Sequence, residues 1–118
     1  MQGTEKQIQW AESIKADLIR YIEPTREMIA KFSADDQMQE EMKVLVLSAL
    51  DRLGKSENAQ DWIAIRSEKT SRDRKYVLKP YAVLSAMMSN AEIEKVVPDY
   101  SKSTGVRAEV ESFVNEMI

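Results

Sequence analysis

The sequence predicts an all-α fold. The expected architecture is a compact bundle of five or six helices, a single domain over residues 1–118, with the first long helix kinked or broken near Pro24. Two observations lead there. Glycine and proline together supply only 6 of 118 residues, about half the usual share, so little punctuation interrupts the chain. Apolar residues recur at three-, four- and seven-residue steps in one segment after another, the spacing of a single helix face. With 43% hydrophobic and 31% charged residues, a chain of this length can close one core without metal or crosslink.

Thr4-Glu5-Lys6-Gln7 reads as a capping box, which satisfies orphan backbone donors at a helix start. Ile8, Ala11, Ile14, Leu18, Ile22, Ile29 and Phe32 continue the stripe, flanked by Trp10 and Tyr21. A straight helix from Thr4 to Phe32 would be about 43 Å long, longer than the expected diameter. Pro24 disfavours helical geometry at Glu23, so the break is expected at residues 20–24. A second helix spans about Asp35 to Leu53. Its stripe is Met38, Met42, Leu45, Ala49 and Leu53, and Gly54 stands where a left-handed cap would sit. Ala59–Arg66 reads as a short helix, and Ser67–Arg74 as a polar loop. Tyr76-Val77-Leu78 has strand character without an evident partner strand. Lys79-Pro80 fits a helix start. Ala91–Val97 forms a short helix ended by Pro98, Asp99–Gly105 a loop, and Val106, Val110, Phe113, Val114 and Met117 mark a last amphipathic helix.

The chain contains no cysteine and no histidine, which removes disulfides, thiolate metal sites, thiol nucleophiles and imidazole bases. Neither a phosphate-binding glycine loop nor a nucleophile elbow is present. Asp36 and Glu40 share a helix face beside Asp35 and Glu41. Such acids could hold a hard cation, but they suit equally the positive end of a helix dipole, and no second acidic motif completes a ligand set. The expectation is therefore no catalytic residue, no metal and no cofactor. The longest apolar run, Val44–Leu50, is far too short to span a bilayer, and the first residues lack signal-peptide character, so no membrane role and a cytoplasmic location are expected.

Charge is distributed unevenly. The net value is −3, yet Ile63–Lys79 sums to +4, against 0 for residues 1–32, −4 for 33–62 and −3 for 80–118. Arg66, Lys69, Arg72, Arg74, Lys75 and Lys79, with Tyr76 and Trp62, make the candidate binding surface. It could engage phosphates, meet an acidic protein patch, or pair with the chain's own acids. Trp62 and Arg66 are four apart, within stacking reach on a helix. Leu45–Leu53, a glycine turn and Ala59–Arg66 also have the outline of a DNA-reading helix–turn–helix, although Asp61 would face phosphates unfavourably. Both tryptophans fit core or core-edge positions, while an exposed one would be a binding hot spot. Met28, Met38, Met42, Met87 and Met88 are mostly stripe positions. Met87-Met88 cannot point both side chains inward, so that pair or the terminal helix could support a homodimer.

Thr4-Glu5-Lys6-Gln7 with Trp10-Ala11-Glu12 and Ile14, then Ala59 with Trp62-Ile63 and Arg66, resemble a group of small domains in phage, plasmid and other mobile-element proteins of Gram-positive bacteria. The likeness covers about a fifth of the chain and departs after Ile63, where Ala64-Ile65 replace a polar pair. It implies a genetic setting rather than a mechanism. The functional expectation is a non-enzymatic helical binding module acting through a protein partner, as a phage or mobile-element accessory or regulatory protein. The alternatives are a nucleic-acid-binding protein using Arg66–Lys79, or an inhibitor of a host defence nuclease that blocks a protein surface.

Overall fold

Thr4 opens α1 (Glu5–Leu18) with the expected capping box. Its hydroxyl accepts the Gln7 N–H at 3.2 Å, and the Gln7 side chain accepts the Thr4 N–H at 3.1 Å. This computed structural model describes every residue except Asp73. Helix α1 gives way to a single 3-10 turn, Ile19–Tyr21, before α2 (Ile22–Lys31). The break thus falls just upstream of Pro24, which sits in the first turn of α2, where a missing N–H removes no bond within the helix. Length alone does not force the break, because the longest dimension of the molecule is itself 43 Å. Proline and the demands of the core do.

Buried Thr25 fixes the join. Its hydroxyl donates to the Tyr21 carbonyl at 2.7 Å and accepts the Leu78 N–H at 2.8 Å. Helix α3 (Gln37–Gly54) is the central element, packed on α2 and two later helices. Asp36 caps it, accepting the Gln39 N–H at 2.9 Å, so this acid of the 35–41 cluster serves the helix start. Lys43 reaches back to the Ala30 and Phe32 carbonyls at 3.1 and 2.7 Å, satisfying acceptors at the end of α2. Met42, Val46, Ala49, Leu50 and Leu53 supply the buried face. Met38, expected in that stripe, is instead 45% exposed. Gly54 ends α3 as its last helical residue rather than as a left-handed cap.

Helix α4 (Ala59–Ala64) packs on α1 and places Trp62 and Ile63 in the core. Its main packing partners are α1 and α5 rather than the α3 of a helix–turn–helix, and Asp61 accepts a hydrogen bond from the Ser56 hydroxyl. The chain is then not purely helical. The stretch expected as a loop contains β1 (Lys69–Arg72), which pairs antiparallel with β2 (Lys75–Leu78) in the register Lys69 to Leu78, Thr70 to Val77, Ser71 to Tyr76 and Arg72 to Lys75. The strand anticipated at Tyr76–Leu78 has its partner immediately before it. Helix α5 (Pro80–Met87) starts with proline as expected. Helix α6 (Asn90–Glu94) carries a Ser89–Glu92 capping box and stops short of Pro98. Helix α7 (Thr104–Asn115) closes the core with Val110 and Val114. Met88 is buried and Met87 half-buried. Helices dominate, and the two-stranded hairpin is the only sheet among the described residues. With extents of 43 × 34 × 21 Å and a radius of gyration of 14.3 Å, the molecule is flatter than a sphere of about 13 Å would be.

Candidate functional site

The hairpin exists because its second strand carries two apolar residues. Val77 and Leu78 are fully buried, while Lys69, Ser71, Arg72, Lys75 and Tyr76 stay exposed. The Lys79 N–H bonds the Glu68 carbonyl at 2.7 Å and extends the pairing beyond the strands. At the tip Arg74 has φ 66°, the left-handed region that favours glycine. Two strands of four residues are too little to stand alone, so the hairpin leans on α2 and on the 3-10 turn.

The eight candidate residues divide. Trp62 is fully enclosed and leaves the surface set; its indole N–H donates to the Ser56 carbonyl at 3.4 Å, and Lys15 lies 5.6 Å above the ring. Arg66 therefore does not stack on Trp62. Its guanidinium lies 5.3 Å from the Trp10 ring and donates to the Ile63 carbonyl at 2.8 Å. Three lysines meet the chain's own acids: Lys69 with Asp17 at 3.1 Å, Lys75 with Glu27 at 3.5 Å and Lys79 with Glu68 at 3.4 Å. Such exposed pairs stabilise by about 1 kcal/mol or less each, but they cancel half of the segment's positive charge where it arises. Among the described residues no carboxylate lies within ion-pair distance of Arg72 or Arg74.

Sequence reasoning missed the face on which these residues gather. Trp10 is 49% exposed and Tyr76 56%. Trp10 and Asp17 are two helical turns apart, hence on one side of α1. Asp17 bonds both Lys69 at 3.1 Å and Arg20 at 2.9 Å, and these cations hold its carboxyl below the usual carboxylate range, Lys69 contributing most. Asp17 in turn raises the Arg20 guanidinium. Arg20 lies 5.2 Å from the Tyr21 ring, Lys69 lies 5.7 and 5.9 Å from Tyr21 and Tyr76, and those two rings are 5.8 Å apart. The result is a strip of two aromatic and cationic groupings on one side of α1, Trp10 with Arg66 and, two helical turns further on, Arg20, Tyr21, Lys69 and Tyr76 around Asp17. The seven-residue spacing of Trp10 and Asp17 was a readable signal. Their meeting with Arg66 and Lys69 was not, because it joins residues more than fifty positions apart.

Three surface hollows accompany the strip. One of about 330 Å³ lies between α5 and α7 and holds Glu68, Lys79, Tyr81 and Glu111. There the Tyr81 hydroxyl makes a short hydrogen bond with that of Tyr100, and burial, then Tyr100, push its ionisation well above the usual phenol range. A second, about 260 Å³, is an apolar groove between α3 and α7 that includes Met38 and Phe113. The third, about 250 Å³, is walled by Glu27, Lys31, Arg72 and Lys75 with Met28 and Met117. No group of three or more acids suited to a metal ion occurs among the described residues, and no helix is long and apolar enough to cross a membrane.

Fold and surface together define a small helical domain with a hairpin arm beside an aromatic and cationic strip. No family model, no curated protein and no solved structure matches this chain.

Proposed function

We propose that this chain is a non-enzymatic binding module that works through a protein partner, as an accessory or regulatory protein of a phage or mobile genetic element. The observation that carries the reading is the exposed strip from Trp10 with Arg66 to Tyr76 with Tyr21 and Lys69. Tryptophan, tyrosine and arginine are the side chains that most often dominate protein interfaces, and here they are held in place by their neighbours, so little side-chain entropy is lost on binding. The genetic setting rests on the two local sequence motifs.

Nucleic acid is the competing partner, favoured by Arg72 and Arg74 beside Tyr76. Against it, Asp17, Glu27 and Glu68 sit among the cations and would repel a phosphate backbone, which leaves few counterions to release. Affinity capture decides between them. The tagged full chain and its Trp10→Ala/Arg66→Ala variant, matched for folding by circular dichroism, are used on lysate of the source cells. The expected result is a protein retained by the wild type and lost from the variant. Recovery of nucleic acid alone, abolished by Arg72→Ala/Arg74→Ala, would overturn the proposal, as would steady substrate turnover lost on a single substitution.

A further inference from the structure

The two edges of the hairpin differ. Successive residues of a strand turn their backbone groups to opposite sides, and the bond from the Lys79 N–H to the Glu68 carbonyl sets the phase. In the observed register Thr70 and Arg72 of β1 face Val77 and Lys75 of β2, so their N–H and C=O groups are used within the hairpin. Tyr76 and Leu78 turn theirs outward from β2, where α2 covers the edge and Thr25 receives the Leu78 N–H at 2.8 Å. Lys69 and Ser71 turn theirs outward from β1, and among the described residues nothing hydrogen-bonds to these backbone groups. Each supplies one donor and one acceptor, spaced as an added strand requires.

We infer that the open edge of β1 receives an extended acidic segment of a protein partner, added as a third strand; this rests on the protein-binding reading above. Strand addition takes affinity from main-chain bonds and selectivity from flanking side chains. The flanking side chains here are cationic. Among the described residues no carboxylate pairs with Arg72 or Arg74, and in the hollow that Arg72 shares with Lys31 and Lys75 the one acid, Glu27, is taken by Lys75 at 3.5 Å, which leaves the cations in excess. A four-residue edge bearing a lysine deters indiscriminate pairing, so charge does the selecting. A second copy of this chain is the poorer occupant, because Lys69–Lys75 sums to +3 and would lie about 4.8 Å from another strand of the same sign.

The probe is a fluorescein-labelled octapeptide alternating glutamate and threonine, titrated against the full chain by anisotropy. Its lysine–threonine counterpart and a version with backbone N-methyl groups through its centre run in parallel. The acidic peptide is expected to bind, to protect the Lys69 and Ser71 amides from hydrogen exchange, and to weaken by about 10-fold or more on N-methylation. Arg72→Glu should shift preference to the lysine peptide. Unchanged affinity after N-methylation would mean charge alone is at work and overturns the inference. So would equal displacement by an oligothymidylate, or self-association of the chain with the same two amides protected. If the acidic peptide does not bind while a Trp10-dependent partner is still captured, strand addition falls and the binding module stands; if neither occurs, both fall.

Discussion

Trp62 is enclosed by the core, whereas Trp10, on α1, leaves half its surface in water. The two indoles therefore answer different experiments. Trp62→Ala should cost about 3–5 kcal/mol in a urea melt, the range for emptying a large aromatic site. Trp10→Ala should change stability by about 0.5 kcal/mol or less while weakening partner capture. Thr25 gives a second contrast. Thr25→Val keeps shape but removes the hydroxyl that joins the Tyr21 carbonyl to the Leu78 N–H. It leaves a buried donor unpaired, so a loss of about 1–3 kcal/mol is expected in the same melt.

Between elements, Arg52 of α3 clasps Glu92 of α6 at 2.8 Å and also donates to the Met87 carbonyl at 3.1 Å. Arg52, and next the Ser89 N–H, hold the Glu92 carboxyl at about 2, below its ordinary 4.5. Because the folded value is depressed, this contribution is present above about pH 4.5 and disappears as pH falls through about 2. Glu92→Gln should therefore lower the urea midpoint at pH 7, with the gap to wild type closing steadily below pH 4.5. The hairpin carries the opposite kind of feature, a local cost. Arg74 occupies a left-handed conformation that disfavours a side-chain-bearing residue by about 1 kcal/mol. Arg74→Gly should raise the thermal midpoint slightly, while weakening an acidic partner that uses this cation.

Helix and hairpin propensities were legible to different depths. The capping box at Thr4, the stripe of α3 and the proline start of α5 are local signals, and each element forms where its signal lies. The strand at Lys69–Arg72 carried none. Its residues are polar, and it is ordered by Val77 and Leu78 on the strand beside it and by Thr25 on a distant helix. Of the candidate site, the cations were visible as a charge excess, but the pairing of Lys69, Lys75 and Lys79 depends on acids from α1, α2 and the segment after α4.

Across the whole molecule, burial concentrates around α3, with α2, α5 and α7 packed on it and α1 closing over α4. The hairpin stands at the margin, held by Val77 and Leu78 of β2, which are buried on opposite faces of the strand. Local opening draws on regions with few buried contacts. Amide exchange should accordingly rank the Thr70 and Arg72 amides well below those of Val46 and Leu50, with the β1 amides exchanging before any global unfolding. Slow exchange of the whole hairpin together with α3 would contradict this.

The sequence by itself determined the helical class, the capped start of α1 and the proline start of α5, the concentration of cations between residues 66 and 79, and the absence of thiol and imidazole chemistry. These depend on composition and on spacings within a few residues, where propensity and periodicity act directly. Tertiary structure alone decided that Trp62 goes inside and Trp10 outside, that Arg66 meets Trp10, and that β1 has an open edge while β2 has a covered one. Each of these follows from which distant surfaces the core brings together, and burial of apolar area carries no record of that choice in any single segment.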